Sequence, residues 1–196
     1  MNTLKILIEG YVKRLPGGVL QASPSTVIIN TAGKMVLVDP GANPELLRSA
    51  MQKYAIKPEN VDALFLTHYH PDHILNIRLF PLQEILDGAT RYLADTEIPY
   101  NGFIPGTDIE VVPTPGHSAE HASLIVNTAE GKFAIAGDLF WWEEDQRQKC
   151  DRASLLKLID PLAQNVGQLY QSRVILLEKA DFFIPGHGKM FRVSQT

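Results

Sequence analysis

Cysteine is almost missing from this chain: one residue in 196, Cys150. A lone thiol closes no internal bridge, so a disulfide scaffold is excluded and a cytoplasmic setting is expected. Long apolar runs are missing as well. No stretch approaches the roughly 18 residues that cross a bilayer, so no membrane association is expected. Met1 to Leu15 is interrupted by Glu9, Lys13 and Arg14, which reads against a secretory signal peptide. Repeats, low-complexity tracts and linker-like stretches are absent too. So is a basic stripe, the usual mark of a nucleic-acid binder. The formal charge is −4, with 7 basic against 4 acidic side chains in the first sixty residues and 11 against 18 in the rest. That balance weighs against a polyanionic substrate without excluding one, because bound cations would offset several carboxylates.

What remains is an ordinary globular composition, 45% hydrophobic and 20% charged. A chain of this length read as one domain over 1–196 buries about 70% of its extended surface, enough for a core without staples.

The apolar patterning predicts strands over Thr26–Asn30 and Met35–Val38, with a turn at Ala32-Gly33-Lys34 between them. Asn43 before Pro44 reads as a helix cap with a first-turn proline, and Leu46, Leu47, Ala50, Met51 and Tyr54 follow at helical spacing. Ala63-Leu64-Phe65-Leu66 reads as a strand buried on both faces. Further strands are expected near Ile109–Pro113, Ala122–Asn127, Lys132–Ala136 and Phe182–Ile184, with helices within Ala153–Lys179. Strands and helices in both halves predict two stacked sheets with helices on their outer faces.

The chemistry concentrates in Thr67-His68-Tyr69-His70-Pro71-Asp72-His73, directly after a buried strand. In an extended segment side chains alternate, so His68, His70 and Asp72 are expected to point one way and Tyr69 and Pro71 the other. Pro71 keeps His70 extended, and His73 follows where a helix can begin. Four ligand-type side chains in six residues converge most simply on something positive. Three later segments share one character, a short strand ending at glycine and then a ligand-type residue: Pro115-Gly116-His117, Ala136-Gly137-Asp138 and Pro185-Gly186-His187. Glycine there lets the backbone turn tightly and approach a buried ion.

These motifs resemble the metallo-β-lactamase superfamily, whose signature is H-x-H-x-D-H followed by single His, Asp and His ligands in that order. The likeness runs from Val38-Asp39-Pro40-Gly41 to Gly186-His187-Gly188. It implies an α/β (α+β) fold, the four-layer αββα sandwich. It also implies that His68, His70 and His117 hold a first metal, that Asp72, His73 and His187 hold a second, and that Asp138 bridges them. Asn76–Pro81 and Ala180–Gly188 resemble the short stand-alone branch of that superfamily called metallo-β-lactamase domain-containing protein 1. There are departures. Leu75 stands where the family usually has glycine, which predicts a different mouth to the site. Position 138 is Asp rather than the Cys of the best-known zinc β-lactamases, and Cys150 lies too far along to replace it, so antibiotic hydrolysis is not expected. Glyoxalase II shares the motifs but adds a helical C-terminal domain for glutathione, whereas only eight residues follow Gly188 here.

Imidazole and carboxylate donors without thiolate suit two divalent ions, zinc first and iron or manganese as alternatives. Two such ions would share a hydroxide and clamp attacking and leaving oxygens, and no serine or cysteine nucleophile motif competes with that. Asp72 would ligate the second ion and orient the hydroxide. Asp39 would hold an imidazole N–H from behind, unless it only caps a strand end. His121, four residues after His117, either donates to the reacting group as a catalytic residue or lines the site. Trp141 and Trp142 wall the cleft, or one of them belongs to the core. The leading expectation is a metal-dependent hydrolase of a small ester, thioester, lactone or phosphodiester, with a small-molecule substrate as its partner. The alternatives are a ribonuclease of the same fold, which makes RNA a second candidate partner, and a mononuclear iron oxygenase resembling persulfide dioxygenases.

Overall fold

The computed structural model describes residues 1–194. Thirteen strands and four helices follow in the order β1 (Thr3–Ile8), β2 (Tyr11–Arg14), β3 (Leu20–Ser23), β4 (Thr26–Thr31), β5 (Lys34–Val38), α1 (Pro44–Lys53), β6 (Ala63–Phe65), α2 (Pro71–Ile74), β7 (Glu84–Leu86), β8 (Thr90–Leu93), β9 (Thr96–Pro99), β10 (Glu110–Pro113), β11 (Ala122–Thr128), β12 (Gly131–Trp141), α3 (Arg152–Leu156), α4 (Val166–Lys179) and β13 (Phe182–His187). The strands form a seven-stranded sheet in the order β1-β4-β5-β6-β7-β8-β9, a four-stranded sheet in the order β10-β11-β12-β13, and a separate β2–β3 hairpin. Pairing is parallel at β5–β6, β6–β7 and β12–β13 and antiparallel elsewhere.

Alternation along the central strands builds the layers. Val27 and Ile29 of β4 and Val36 and Val38 of β5 face the second sheet, where Val111, Leu124, Val126 and Ile135 meet them. Ile28 and Leu37, one residue out of phase, face α1 and pack with Leu47 and Met51. Each strand is therefore apolar on both faces, the continuous pattern of a sheet covered on two sides. The second sheet does the same: Ala134, Ala136 and Phe183 turn outward onto Leu155 of α3 and Leu169, Leu176 and Leu177 of α4. The result is the four-layer αββα sandwich. No helix among the described residues is long and apolar enough to cross a membrane.

Most expected elements lie where the patterning placed them. The differences are informative. β12 does not stop at Ala136 but runs on to Trp141, with irregular pairing on either side of Gly137. Strand β1 on one edge and β7–β9 at the other were not anticipated. Every residue of β9 is exposed, and β8 is half-buried at best, so no buried apolar face marks these two strands.

Candidate metal centre

Both sheets deliver side chains to one end of the sandwich. β6 leads into Thr67-His68-Tyr69-His70, and His70 keeps an extended backbone (φ −63°, ψ 139°) before Pro71 opens α2. Here the strict alternation expected along the motif is corrected. A proline at the first helical position starts a turn of helix, so Asp72 does not continue in register with His68 and His70. It turns with His73 toward a second group. His117 comes from the loop between β10 and β11, Asp138 from within β12 and His187 from the end of β13.

Two donor groups result: His68, His70, His117 and Asp138 in one, and Asp72, His73 and His187 in the other, with the donor atoms of each group within 4.8 Å of one another. Asp138 belongs to both. Its Oδ2 lies 3.4 Å from His117 Nε2 and 3.8 Å from His68 Nε2, and its Oδ1 lies 3.3 Å from His73 Nε2 and 3.5 Å from His187 Nε2. Asp72 Oδ2 sits 3.4 Å from His187 Nε2. Donors on one ion about 2.0–2.2 Å away lie roughly 3–3.5 Å from each other, close to the spacings seen. Three atoms aimed into this space, His68 Nε2, His73 Nε2 and Asp138 Oδ1, are buried without a hydrogen-bond partner. Orphaned donors and acceptors are costly in a protein interior unless something pairs with them. The residues therefore fit a pair of cations.

Two glycines make the approach possible. Gly137 has φ +51°, and a Cβ there would lie 2.7 Å from His121 Nε2 and 2.8 Å from Thr67 Oγ1. At Gly186 a Cβ would fall 1.8 Å from Asp138 Oδ1. A side chain at Gly186 would displace the shared carboxylate.

Outer contacts set the rings. Asp39, at φ +47° just past β5, accepts from Thr67 N (2.9 Å) and Thr67 Oγ1 (2.7 Å), and its Oδ2 lies 2.9 Å from His73 Nδ1. Thr67 Oγ1 in turn lies 3.0 Å from His68 Nδ1. His187 Nδ1 lies 2.8 Å from the carbonyl of Ser23 and 3.2 Å from that of Tyr11, so the β2–β3 hairpin braces this ring. Such contacts fix which ring nitrogen faces a metal.

Sequence reasoning missed Asp160. Its Oδ2 lies 2.7 Å from His117 Nδ1, with both side chains fully buried. The buried Arg173 donates to the carbonyls of Leu139 (2.9 Å) and Leu158 (2.5 Å), tying the segment before Asp160 to β12. Nothing within 43 residues of chain marks that pairing. It also missed Asp87, which accepts from the hydroxyls of Tyr69 and Tyr92 and from the backbone of Ala89 and Thr90. Tyr69, between His68 and His70, is thereby tethered away from the cluster.

The electrostatics follow from burial and from one carboxylate. Burial pushes the Asp138 carboxyl up, but His187 and His73 outweigh it and hold the group well below the usual carboxylate range. Burial likewise lowers His73 and His187, yet Asp138 beside them raises His73 well above its ordinary value, with help from Asp39, and brings His187 to about 9. Protons on these rings answer the same negative charge a cation would. His68 is pushed well down by burial.

The remaining candidates separate. His121 is buried behind the cluster, its Nδ1 2.9 Å from Thr114 Oγ1, and burial lowers it to about 3. It is absent from both donor groups and from the lining of the cleft. Trp141 lines the cleft beside His187, whereas Trp142 packs on Phe191 in the core. Cys150 lies outside both groups, half-buried near Gln148.

Comparison with known proteins places this geometry. The family described as metallo-beta-lactamase superfamily matches residues 20–108. A Xenopus laevis protein, metallo-beta-lactamase domain-containing protein 1, is 34% identical over 210 residues, covering 98% of this chain and 82% of that one. The human protein of the same name is 33% identical over 187 residues, covering 88% of this chain, which spans only 62% of the human length. A metallo-β-lactamase-like structure from Thermotoga maritima superposes with a TM-score of 0.71 at 20% identity, over 97% of this chain and 99% of that one.

Proposed function

Because the chain belongs to the metallo-β-lactamase superfamily, we propose that it is a metallo-hydrolase working with two divalent cations, zinc in preference to iron or manganese, on a small ester, thioester, lactone or phosphodiester. One observation carries this reading: the two oxygens of Asp138 are divided between two sets of donors. A carboxylate serves two cations at once, which a neutral imidazole acting through one nitrogen does not.

His68, His70 and His117 would hold the first ion and Asp72, His73 and His187 the second, with Asp138 shared. When bound, such a pair supplies a water of pKa about 7 and positive charge for the attacked and departing oxygens. The chain's own residues do the rest. Asp39, Asp160 and the hairpin carbonyls keep His73, His117 and His187 each turned to present one nitrogen. Asp72, whose side chain is 27% exposed, faces the cleft, where it would help hold the second ion and orient the attacking water. His121 lies buried behind the donor groups and outside the cleft, a position that suits packing behind them rather than donating to substrate. The cytoplasm is the compartment we assign, on a composition with one cysteine.

The test is elemental analysis of the purified protein together with hydrolysis of p-nitrophenyl esters. Two ions per chain and ester turnover abolished by chelation are expected. A single iron after full reconstitution, with oxygen uptake on thiol substrates, would replace this reading with the oxygenase alternative.

A further inference from the structure

The donor cluster opens into a cleft of about 410 Å³, near the small end of the range for small-molecule sites (about 300–1,000 Å³). His70, Asp72, Asp138 and His187 form its polar floor, and the rest of its wall is apolar. Three separate segments each add one leucine to that wall: Leu20 from the β2–β3 hairpin, Leu75 just after α2, and Leu162 from the segment before α4. These leucines are unusual in being left open to water, at 54%, 48% and 56% exposed. Val12 and Trp141 continue the same surface inward. Scattered exposed leucines are unremarkable, but convergent ones beside a polar floor mark a binding surface. No lysine or arginine lines the cleft among the described residues. The nearby cations of β2 are engaged elsewhere, Lys13 with Glu144 and Arg14 with Glu143.

We propose that the cleft takes a substrate with an uncharged aliphatic acyl chain, gripped by Leu20, Leu75 and Leu162 while its carbonyl meets the donor cluster. This rests on the hydrolase reading above and selects within it acyl esters, thioesters or lactones. A chain of phosphodiesters would bring further anions against leucine and tryptophan with no cation to receive them, and burying an unpaired charge against apolar side chains is heavily penalised. An aliphatic chain instead covers three leucines that otherwise stand in water.

The probes are acetamide, butanamide, hexanamide and octanamide, which are uncharged and resist hydrolysis on the timescale of a titration. Binding to the full chain is measured by ligand-detected NMR, once after chelation and once after zinc loading. Full burial of a methylene is worth about fourfold in affinity. A wall open on one side should give about twofold, and so at least tenfold from acetamide to octanamide. 6-Hydroxyhexanamide should bind several-fold more weakly than hexanamide. The double variant Leu75→Ser/Leu162→Ser, with Leu20→Ser as a second and independent one, should cut the acetamide-to-octanamide ratio at least threefold, with melting curves and metal content establishing that each variant is folded. A flat series, equal binding of the hydroxylated amide, or a ratio that survives both variants overturns the proposal. Turnover of p-nitrophenyl hexanoate by the zinc-loaded protein is scored separately. If the amides bind as expected without turnover, the hydrolase reading fails and the apolar cleft stands. Turnover with a flat amide series removes the cleft inference alone.

Discussion

Asp160 and His117 meet at 2.7 Å across 43 residues of chain, both buried, with Asp160 Oδ2 against His117 Nδ1. That contact leaves His117 Nε2 free to face Asp138 and His70, at 3.4 and 3.0 Å. One ring thus carries structural work on one nitrogen and ligand geometry on the other. The same division holds at His73, with Asp39 behind it and Asp138 in front.

Asp160→Asn should weaken metal binding by about 10–100-fold, the usual effect of losing a carboxylate behind a ligand histidine. The loss should fall on the ion held by His68, His70 and His117. Competition with a chromogenic chelator measures it, and an unchanged affinity would remove Asp160 from the site.

Asp138→Ala should leave a folded protein that holds one ion instead of two and hydrolyses very little. Removing the shared carboxylate leaves two dications repelling each other with one less negative charge between them. His68, His70 and His117 still make a three-histidine set able to keep a single ion. Metal content and turnover together decide it: two retained ions with most of the rate would show that Asp138 is not the bridge.

Chelation should lower thermal stability as well as activity. His68, His70, Asp72 and His73 follow strands of the seven-stranded sheet, while His117, Asp138 and His187 come from the four-stranded one. Ions held between them would tie the sheets together at one end. A ligand that binds only the folded state at a hundred times its dissociation constant adds about 2.7 kcal/mol. A melting temperature unmoved after verified metal removal would contradict this.

Asp87→Asn should cost about 1–3 kcal/mol at pH 7 by weakening a buried, charge-assisted set of hydrogen bonds. Burial pushes the Asp87 carboxyl up, but the Tyr69 hydroxyl, the N–H groups of Ala89 and Thr90, and the Tyr92 hydroxyl outweigh it and hold it below the ordinary range. A depressed folded-state pKa stabilises above the unfolded value of about 3.9 and loses that contribution as pH falls through the folded one. Urea titrations of the chelated protein should therefore show wild type and variant converging below about pH 4. A gap that persists at pH 2 would mean the carboxylate charge is not what Asp87 contributes.

Much of this was readable along the chain because the physics involved is local. Continuous apolar runs in β4 and β5 report a sheet covered on both faces. Asn43 before Pro44 reports the start of α1, and its side chain does accept from the N–H groups of Glu45 and Leu46. His70 ahead of Pro71 is held extended by a clash between adjacent residues. The seven ligand-type residues stood out because polar, titratable side chains next to buried strands have little reason to be there unless they meet an ion. What the chain alone left undecided depends on contacts between distant segments. Which oxygen of Asp138 serves which histidines is set by how β12 lies beside β13 and opposite the α2 loop. Asp160 becomes a partner of His117 only because Arg173 and the loop before α4 carry it there. His121 lies four residues after His117 yet faces Thr114, since it stands just before β11, where its carbonyl accepts from Thr114 N (2.8 Å) and its Nδ1 meets Thr114 Oγ1. Leu20, Leu75 and Leu162, 55 and 87 residues apart in sequence, form one wall only when the hairpin, the α2 turn and the segment before α4 close around the same opening. Periodicity and propensity act over a few residues, whereas the shape of a cleft is settled by the packing of two sheets.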